Sequence, residues 1–230
     1  MTADELKSWR KAERDRLIAA REALDPATLE HVRQRIDGHL WRSFPGLATA
    51  RLAFCWPIRR EYDARRLVQR LREGGAVTAL PVVVAPRQPL VFREWYPGVT
   101  LASGPLGIPY PVGSDPVDPT AVLVPMNGWD EAGYRLGYGG GFFDRTLASW
   151  PKKPVAIGVS YELARMTTIW PQGWDVPMDW VVTERGVYRR DPEGLVFLGE
   201  PLAGEPSALA SPVCYSVELE SPRRPPHDPS

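Results

Sequence analysis

Cysteine is scarce in this chain of 230 residues, which contains only two. Cys55 and Cys214 stand far apart and lack metal-type spacing, so we interpret them as buried or incidental thiols outside any mechanism. An excess of one charge is also missing, because 28 Lys and Arg balance 28 Asp and Glu. We therefore expect no nucleic-acid partner and no anionic membrane surface, and any anion site must be local.

Long apolar runs are absent as well. Stretches such as Ala76 to Ala85 reach about half of the roughly 20 residues that a membrane helix needs. The charged N-terminus has no apolar core of the signal-peptide kind. We expect a cytoplasmic protein, a monomer, that acts on small molecules and has no membrane partner.

The length suits one substantial core, since domains usually contain roughly 100 to 200 residues. Residues 201–230 are rich in Pro and Ser and show little periodicity, which is typical of disordered tails. We predict one α/β domain over residues 1–200, followed by a disordered tail over residues 201–230.

Apolar periodicity predicts two N-terminal helices, Asp4 to Ala23 and Asp25 to about Trp41, ahead of the first strand. Short apolar runs then alternate with helical patterns, which favours a mostly parallel sheet. A Pro- and Gly-rich excursion follows the second strand and contains an edge hairpin, and the last element is an antiparallel pair. These elements are predicted at Arg51 to Trp56, Asp63 to Glu73, Ala76 to Val84, Leu90 to Trp95, Ala121 to Val124, Gly141 to Trp150, Val155 to Val159, Trp180 to Thr183 and Glu184 to Leu198.

A glycine-rich segment, RLGYGGGFFDR, extends from Arg135 to Arg145. Its four glycines remove side chains that would keep a phosphate from backbone N–H groups, and the start of the following helix adds donors and a favourable dipole. Arg135 and Arg145 can supply charge to a phosphate. A tight turn is the alternative interpretation. The segment lacks the Lys-Ser/Thr pair of a Walker motif, and Phe142 stands where GxGxxG has its last glycine.

RLGYGGGFFDR closely resembles the signature RLGxGxGYYDR of the 5-formyltetrahydrofolate cyclo-ligase family, also called methenyltetrahydrofolate synthetases. Other segments agree with that family in order over about residues 7 to 184. They are KSWRK, WPIRREYDARRL, GGAVTALP and DVPMDWVVTE. The resemblance implies a three-layer α/β/α fold with a mostly parallel sheet, Rossmann-like and of the NagB/RpiA/CoA transferase-like kind. The glycine loop would lie at the carboxyl end of strand Ala121 to Val124.

The resemblance also implies a reaction. The family uses ATP as co-substrate and Mg²⁺ to convert 5-formyltetrahydrofolate to 5,10-methenyltetrahydrofolate. Phosphorylation of the formyl oxygen turns a poor leaving group into phosphate before N10 closes the ring, so catalysis is mostly positioning and charge stabilisation.

By position in the family's motifs, Arg135 and Asp144 are the expected catalytic residues. Asp144 would ligate Mg²⁺ with Asp175, for which Asp179 is the alternative. A first-turn carboxylate on a helix is the competing interpretation of Asp144, and an ordinary loop aspartate that of Asp175. The residues expected to bind ATP are Lys7, Arg10, Lys11, Arg135, Gly137, Tyr138, Gly139, Gly140, Gly141, Phe142, Phe143 and Asp144. The basic residues of the first helix could instead form a solvated face.

Folate contacts are implied for Glu61, Trp56 and Phe142. Glu61 matches the family's folate-contacting glutamate, which can accept from the pterin N–H edge, although a helix-capping carboxylate would produce the same pattern. Trp129 and Tyr138 are candidates for an aromatic wall.

Several positions depart from the family pattern. Phe142 and Phe143 lack the usual tyrosine hydroxyls, Ala76 replaces a frequent lysine, Tyr110 replaces a glutamate, and MNGWD replaces a PGLAFD-type loop. These departures leave two other interpretations open. One is a paralogue with a nucleotide site and a changed substrate, and the other is a non-catalytic ligand-binding module.

Overall fold

The computed structural model describes residues 1–199, and the predicted tail lies outside the described residues. Four α-helices occur in this part of the chain, and they are α1 (Ala3–Glu22), α2 (Pro26–Ser43), α3 (Arg65–Glu73) and α4 (Phe142–Ser149). The strands are β1 (Arg51–Ala53), β2 (Val77–Val82), β3 (Val91–Glu94), β4 (Leu101–Ser103), β5 (Pro109–Pro111), β6 (Ala121–Pro125), β7 (Gly128–Asp130), β8 (Arg135–Leu136), β9 (Val155–Val159), β10 (Arg165–Met166), β11 (Trp180–Thr183), β12 (Gly186–Asp191) and β13 (Gly194–Gly199).

Eight strands form the central sheet, in the order β13-β12-β11-β9-β6-β1-β2-β3. The five strands from β11 to β2 are parallel to one another. The edges are antiparallel, with β3 beside β2 and with β12 and β13 beyond β11. The predictions of a mostly parallel sheet and a closing antiparallel pair are confirmed. The segment Leu90 to Trp95, predicted as an edge hairpin, contributes one edge strand, β3.

Helices cover both faces of this sheet. Along β6, Ala121 and Leu123 belong to the core that contains apolar residues of α2 and α3. Val122 and Val124 belong to the opposite core, which contains Leu17 of α1 and Leu147 of α4. Because successive strand residues point to opposite faces, each parallel strand serves both cores. The predicted three-layer α/β/α fold is therefore confirmed.

The two N-terminal helices begin at side-chain caps. Thr2 and Glu5 form a capping box at the start of α1. Asp25 accepts hydrogen bonds from the amides of Ala27 and Thr28 at the start of α2, and Pro26 occupies the first helical position. These local signals explain why the boundaries of both helices agree with the sequence-based prediction.

Two small sheets were not predicted. β4 and β5 form a hairpin within the Pro- and Gly-rich excursion, and β10, β7 and β8 form a three-stranded sheet after β6. The strand that leads directly into the glycine loop is β8, and Arg135 belongs to that strand. These short strands, β7 and β8, lie in the segment that was expected to be a loop, because strands of two or three residues are too short to produce a periodic signal.

Within residues 1–199, no helix combines the length and the apolar character needed to cross a membrane.

Ile157→Ala tests the importance of the central strand. Ile157 is fully buried in β9, and the cavity left by its truncation should lower the free energy of unfolding by about 2–5 kcal/mol. Leu198→Ala on β13 is the matched control, since Leu198 is 46% exposed and its truncation should change stability by about 0.5 kcal/mol or less. Urea unfolding measures both, and equal losses would contradict the assignment of β9 to the core.

Candidate active site

A cavity of about 730 Å³ lies at the carboxyl ends of the parallel strands. Trp56 follows β1, Val83 follows β2 and Pro125 ends β6, and all three line the cavity. The glycine loop and the first turn of α4 close another side. Ligands of open α/β sheets usually bind at this edge, so the cavity is the candidate active site.

The glycine loop presents backbone donors to this cavity. Gly139 and Gly141 have φ values of 89° and 62°, which glycine adopts far more easily than other residues. A Cβ atom on Gly137 would meet nothing within 4 Å, so this part of the loop borders open space. Within the described chain, no backbone amide from Gly137 to Gly141 donates a hydrogen bond to another backbone group. A row of amides therefore remains available to an anion.

Two arginines hold the loop carbonyls. Arg14 Nε donates to the Gly137 carbonyl at 2.5 Å, and Arg145 Nη2 donates to the Gly140 carbonyl. Arg145 Nε is buried and has no hydrogen-bond partner among the described residues. Burial also lowers the pKa of the Arg14 guanidinium. Because both guanidinium groups donate to neutral carbonyls, their positive charge is available to a phosphate beside the loop.

Arg135 and Asp144 form a largely buried ion pair. Arg135 Nη2 lies 3.0 Å from Asp144 Oδ1, and the two side chains are 4% and 19% exposed. Arg135 Nη1 donates to the Val176 carbonyl at 2.9 Å, and the Val176 amide donates to Asp144 Oδ1 at 3.0 Å. Burial lowers the pKa of Arg135, and Asp144 opposes this change. Asp144 is thus both a first-turn carboxylate of α4 and the counter-ion of Arg135.

A second ion pair joins α1 to the far side of the cavity. Arg10 Nη2 lies 2.7 Å from Asp175 Oδ2. Arg10 also donates to the carbonyls of Ile169 and Trp170, at 3.1 and 2.8 Å. Asp175 therefore lies in the cavity wall, and its Oδ2 also accepts from the Gln172 amide at 2.7 Å, as a loop aspartate would.

The structure brings one of the three predicted N-terminal basic residues into the cavity. Lys7 and Lys11 are exposed, and Lys11 pairs with Asp15 at 2.6 Å on the outer face of α1. Arg14 lines the cavity instead and was missed by the sequence analysis. Its signal was available, because Arg14 lies four residues after Arg10 and three before the buried Leu17, on one helical face.

The carboxylates can be tested for a fit to Mg²⁺. No cluster of three or more His, Cys, Asp and Glu suited to a metal is found in the described residues. Mg²⁺, however, usually binds through one or two carboxylates together with substrate phosphates and water. Asp144 and Asp175 both line the cavity, so they fit that mode. Asp179 does not, because its oxygens accept from the Ala156 amide and from Lys153 at 2.8 and 2.9 Å.

Glu61 lies at another wall of the cavity, in a turn before α3. Its Oε2 accepts from the Ile58 amide and its Oε1 from the Tyr138 hydroxyl, both at 3.0 Å. Burial raises the pKa of Glu61, although these hydrogen bonds and the charge of Arg21 oppose the change. The helix-capping interpretation is wrong, because α3 begins at Arg65 and the Arg65 amide donates to Asp63.

Apolar and aromatic residues form the rest of the wall. Trp56, Phe142 and Phe143 line the cavity as expected, and the Arg65 guanidinium lies 4.7 Å from the Trp56 ring. Trp129 was expected here and does not belong, because it is fully buried and donates to the Tyr161 carbonyl. Apolar groups between Trp56 and Phe142 suit a flat heteroaromatic ligand. They come from Ile58, Pro81, Val83, Leu90, Ile108, Pro109 and Tyr110.

Comparison with known proteins agrees with this architecture. The model of the 5-formyltetrahydrofolate cyclo-ligase family matches residues 6–184. The 5-formyltetrahydrofolate cyclo-ligase of Escherichia coli K12 is 29% identical over 175 residues, covering 73% of this chain and 96% of the relative. The Haemophilus influenzae enzyme of the same name is 30% identical over 125 residues, covering 51% of this chain and 67% of the relative.

Solved structures show the same fold. The NMR structure of Aquifex aeolicus 5,10-methenyltetrahydrofolate synthetase matches with a TM-score of 0.69 and 26% identity, over 82% of this chain and 97% of that one. The synthetase of Mycoplasma pneumoniae matches in fold with a TM-score of 0.63 and 19% identity, over 76% and 98% of the two chains. A cavity at the carboxyl ends of parallel strands, lined by a glycine loop, is typical of α/β proteins that bind small ligands. This chain belongs to the 5-formyltetrahydrofolate cyclo-ligase family.

The raised pKa of Glu61 predicts a pH-dependent stability. A carboxyl whose folded-state pKa lies above its unfolded value contributes most below the unfolded pKa, and the contribution is lost as pH rises through the folded pKa. The stability of the wild type relative to Glu61→Gln should therefore be highest below about pH 4.5 and decline as the pH increases. Urea unfolding of both proteins from pH 4 to 8 measures the difference, and a pH-independent difference would refute the assignment.

Proposed function

We propose that this protein catalyses the ATP-dependent cyclisation of 5-formyltetrahydrofolate to 5,10-methenyltetrahydrofolate, with release of ADP and phosphate. The observation that carries the proposal is one cavity with two chemically different walls. One wall has the amides from Gly137 to Gly141, which donate to no backbone group within residues 1–199, and they lie beside Arg14 and Arg145. The other has a buried carboxylate, Glu61, beside the Trp56 ring and aliphatic groups.

The two walls suit the two substrates. A triphosphate needs several N–H donors and local positive charge, which the glycine loop, the N-terminus of α4 and the two arginines supply. A reduced pterin carries N–H donors along one edge of a flat ring, which a carboxylate can accept while apolar groups cover the ring faces. Because both walls line one cavity, the formyl group and the γ-phosphate can be brought together.

In the reaction, the formyl oxygen attacks the γ-phosphorus and ADP departs with the electron pair of the broken P–O bond. The N10 lone pair then adds to the formyl carbon, N10 loses its proton, and phosphate leaves with the former formyl oxygen. The protein's contribution is to align the reactants and to stabilise charge on the transferring phosphoryl group. In the proposed roles, Arg14, Arg145 and the amides hold phosphate oxygens, and Glu61 orients the pterin.

In this proposal Arg135 acts by positioning, and Asp144 keeps the metal-binding role that the sequence predicts. Arg135 donates to Asp144 and to the Val176 carbonyl, so its guanidinium fixes the start of α4 beside the phosphate. Asp144 and Asp175 would hold Mg²⁺, which, when bound, neutralises charge on the phosphates.

Three departures from the family pattern lie at the cavity itself. Phe142, Phe143 and Tyr110 line it, where the family more often has two tyrosines and a glutamate. Ala76 is buried and is not part of the cavity wall. A changed substrate would contact Phe142, Phe143 and Tyr110, so a paralogue specific for another ligand is the alternative outcome of the assay below.

Turnover is the direct test. Purified protein with 5-formyltetrahydrofolate, ATP and Mg²⁺ should generate the absorbance band of methenyltetrahydrofolate, and mixtures without ATP or without metal should not. A flat trace from folded protein that binds ATP would contradict the proposed substrate and favour the paralogue. Folate binding without any ATP consumption would favour a non-catalytic binding module.

Arg14→Gln tests the nucleotide wall. Loss of a charge-assisted contact to phosphate should weaken ATP binding about 10- to 100-fold, with a much smaller effect on folate binding. Arg16→Gln is the matched control, because Arg16 lies on the same helix, is 60% exposed and pairs with Glu13. Calorimetric titration of both variants with a non-hydrolysable ATP analogue gives their nucleotide affinities, and titration with 5-formyltetrahydrofolate gives their folate affinities. Equal affinities for the two variants would remove Arg14 from the site.

A further inference from the structure

Tyr138 connects the two walls of the cavity. Its backbone belongs to the row of unpaired amides in the glycine loop. Its hydroxyl lies 3.0 Å from Glu61 Oε1 and 3.3 Å from Arg21 Nη2. One residue therefore belongs to the glycine-loop wall through its backbone and contacts Glu61, on the other wall, through its hydroxyl.

The direction of these hydrogen bonds is fixed by chemistry. An arginine has no acceptor, so the Tyr138 oxygen must accept from Arg21, and its only proton must go to Glu61. The pKa of Tyr138 is raised to about 12, chiefly by burial and then by Glu61, so the phenol keeps its proton at physiological pH. Tyr138 thus bridges a buried cation and a buried carboxylate through one hydroxyl group.

Arg21 holds this bridge in place. Arg21 is 5% exposed on the inner face of α1. Its Nε donates to the Arg59 carbonyl at 2.9 Å and its Nη1 to Asn127 Oδ1 at 3.0 Å. These two anchors leave Nη2 directed at the Tyr138 oxygen, so the phenol cannot move away from Glu61 without breaking two charge-assisted hydrogen bonds.

We propose that Tyr138 is a positioning residue that couples the two substrate walls, so that a nucleotide phosphate ordering the glycine loop also fixes the Glu61 carboxylate for the folate. The inference rests on the proposed function and deepens it. Coupling of this kind is reciprocal, since each ligand must favour the other by the same factor. Tyr138 occupies a position at which the family signature RLGxGxGYYDR does not specify a residue.

Tyr138→Phe isolates the hydroxyl. The ring is kept and Tyr138 is 38% exposed, so the variant should fold, which circular dichroism verifies. Tyr96→Phe is the matched control, because Tyr96 is 41% exposed and is not part of the cavity wall. The first measurement is the affinity for 5-formyltetrahydrofolate with and without a saturating non-hydrolysable ATP analogue.

The wild type and Tyr96→Phe should bind the folate about fivefold or more tightly when the analogue is present. In Tyr138→Phe this ratio should fall close to one, while the affinity for the analogue alone changes much less. Wild-type protein that binds no folate would refute the proposed function. Wild-type protein that shows the coupling, with an unchanged ratio in Tyr138→Phe, would overturn this inference and leave the proposed function intact.

A second measurement separates positioning from a loss of structure. Glu61 is faced by Arg21 of α1, by Tyr138, by Cys55 after β1 and by Tyr161 after β9. Because the Tyr138 hydrogen bond favours the ionised carboxyl, its removal should shift the titration of the Glu61 carboxyl carbon, followed by NMR, upward by about one pH unit. An unchanged titration in Tyr138→Phe would overturn the inference, as would an upward shift with the ligand coupling retained.

Discussion

The ion pair between Arg135 and Asp144 is the contact on which the shape of the site depends. It joins β8 of the three-stranded sheet to the first turn of α4, and the glycine loop is the stretch of chain between these two points. Both partners also bond to Val176, so the segment that carries Asp175 is tied to the same pair. Burying two charges is costly unless each is well paired, and here the paired charges hold the two ends of the glycine run.

The parts of the fold that could be predicted are those in which local pattern and tertiary role agree. β9 and β11 have the bounds expected from sequence, because a strand buried on both faces is a continuous apolar run. β7, β8 and β10 could not be predicted, since strands of two or three residues carry no periodic signal, and β10 is held only by pairing with β7, earlier in the chain. The failure to predict β8 affected one site residue, because Arg135 was predicted to lie in a loop and lies on this strand.

The site was predictable to a similar degree. Most of the site residues predicted from the glycine run and the resemblance line the cavity, and their roles in binding and catalysis stay predictions. Arg14 was missed although its spacing places it on the same face of α1 as Arg10, because the family's N-terminal motif covers only Lys7 to Lys11. Only the docking of α1 against the glycine loop, over 123 residues of sequence separation, selects Arg10 and Arg14 over Lys7 and Lys11. The bridge from Arg21 through Tyr138 to Glu61 is likewise invisible in sequence, since its members are 117 and 77 residues apart.

The placement of α1 has a consequence for how the molecule is made. α1 is translated before the strands of the central sheet, yet Arg10 pairs with Asp175, which lies 165 residues later in the chain. Chains fold largely in the order of their synthesis, and contacts between distant segments form late. Arg10 therefore has no access to Asp175 until five of the eight strands of the central sheet have been translated. The ligand cavity is accordingly among the last features of the nascent chain to be completed.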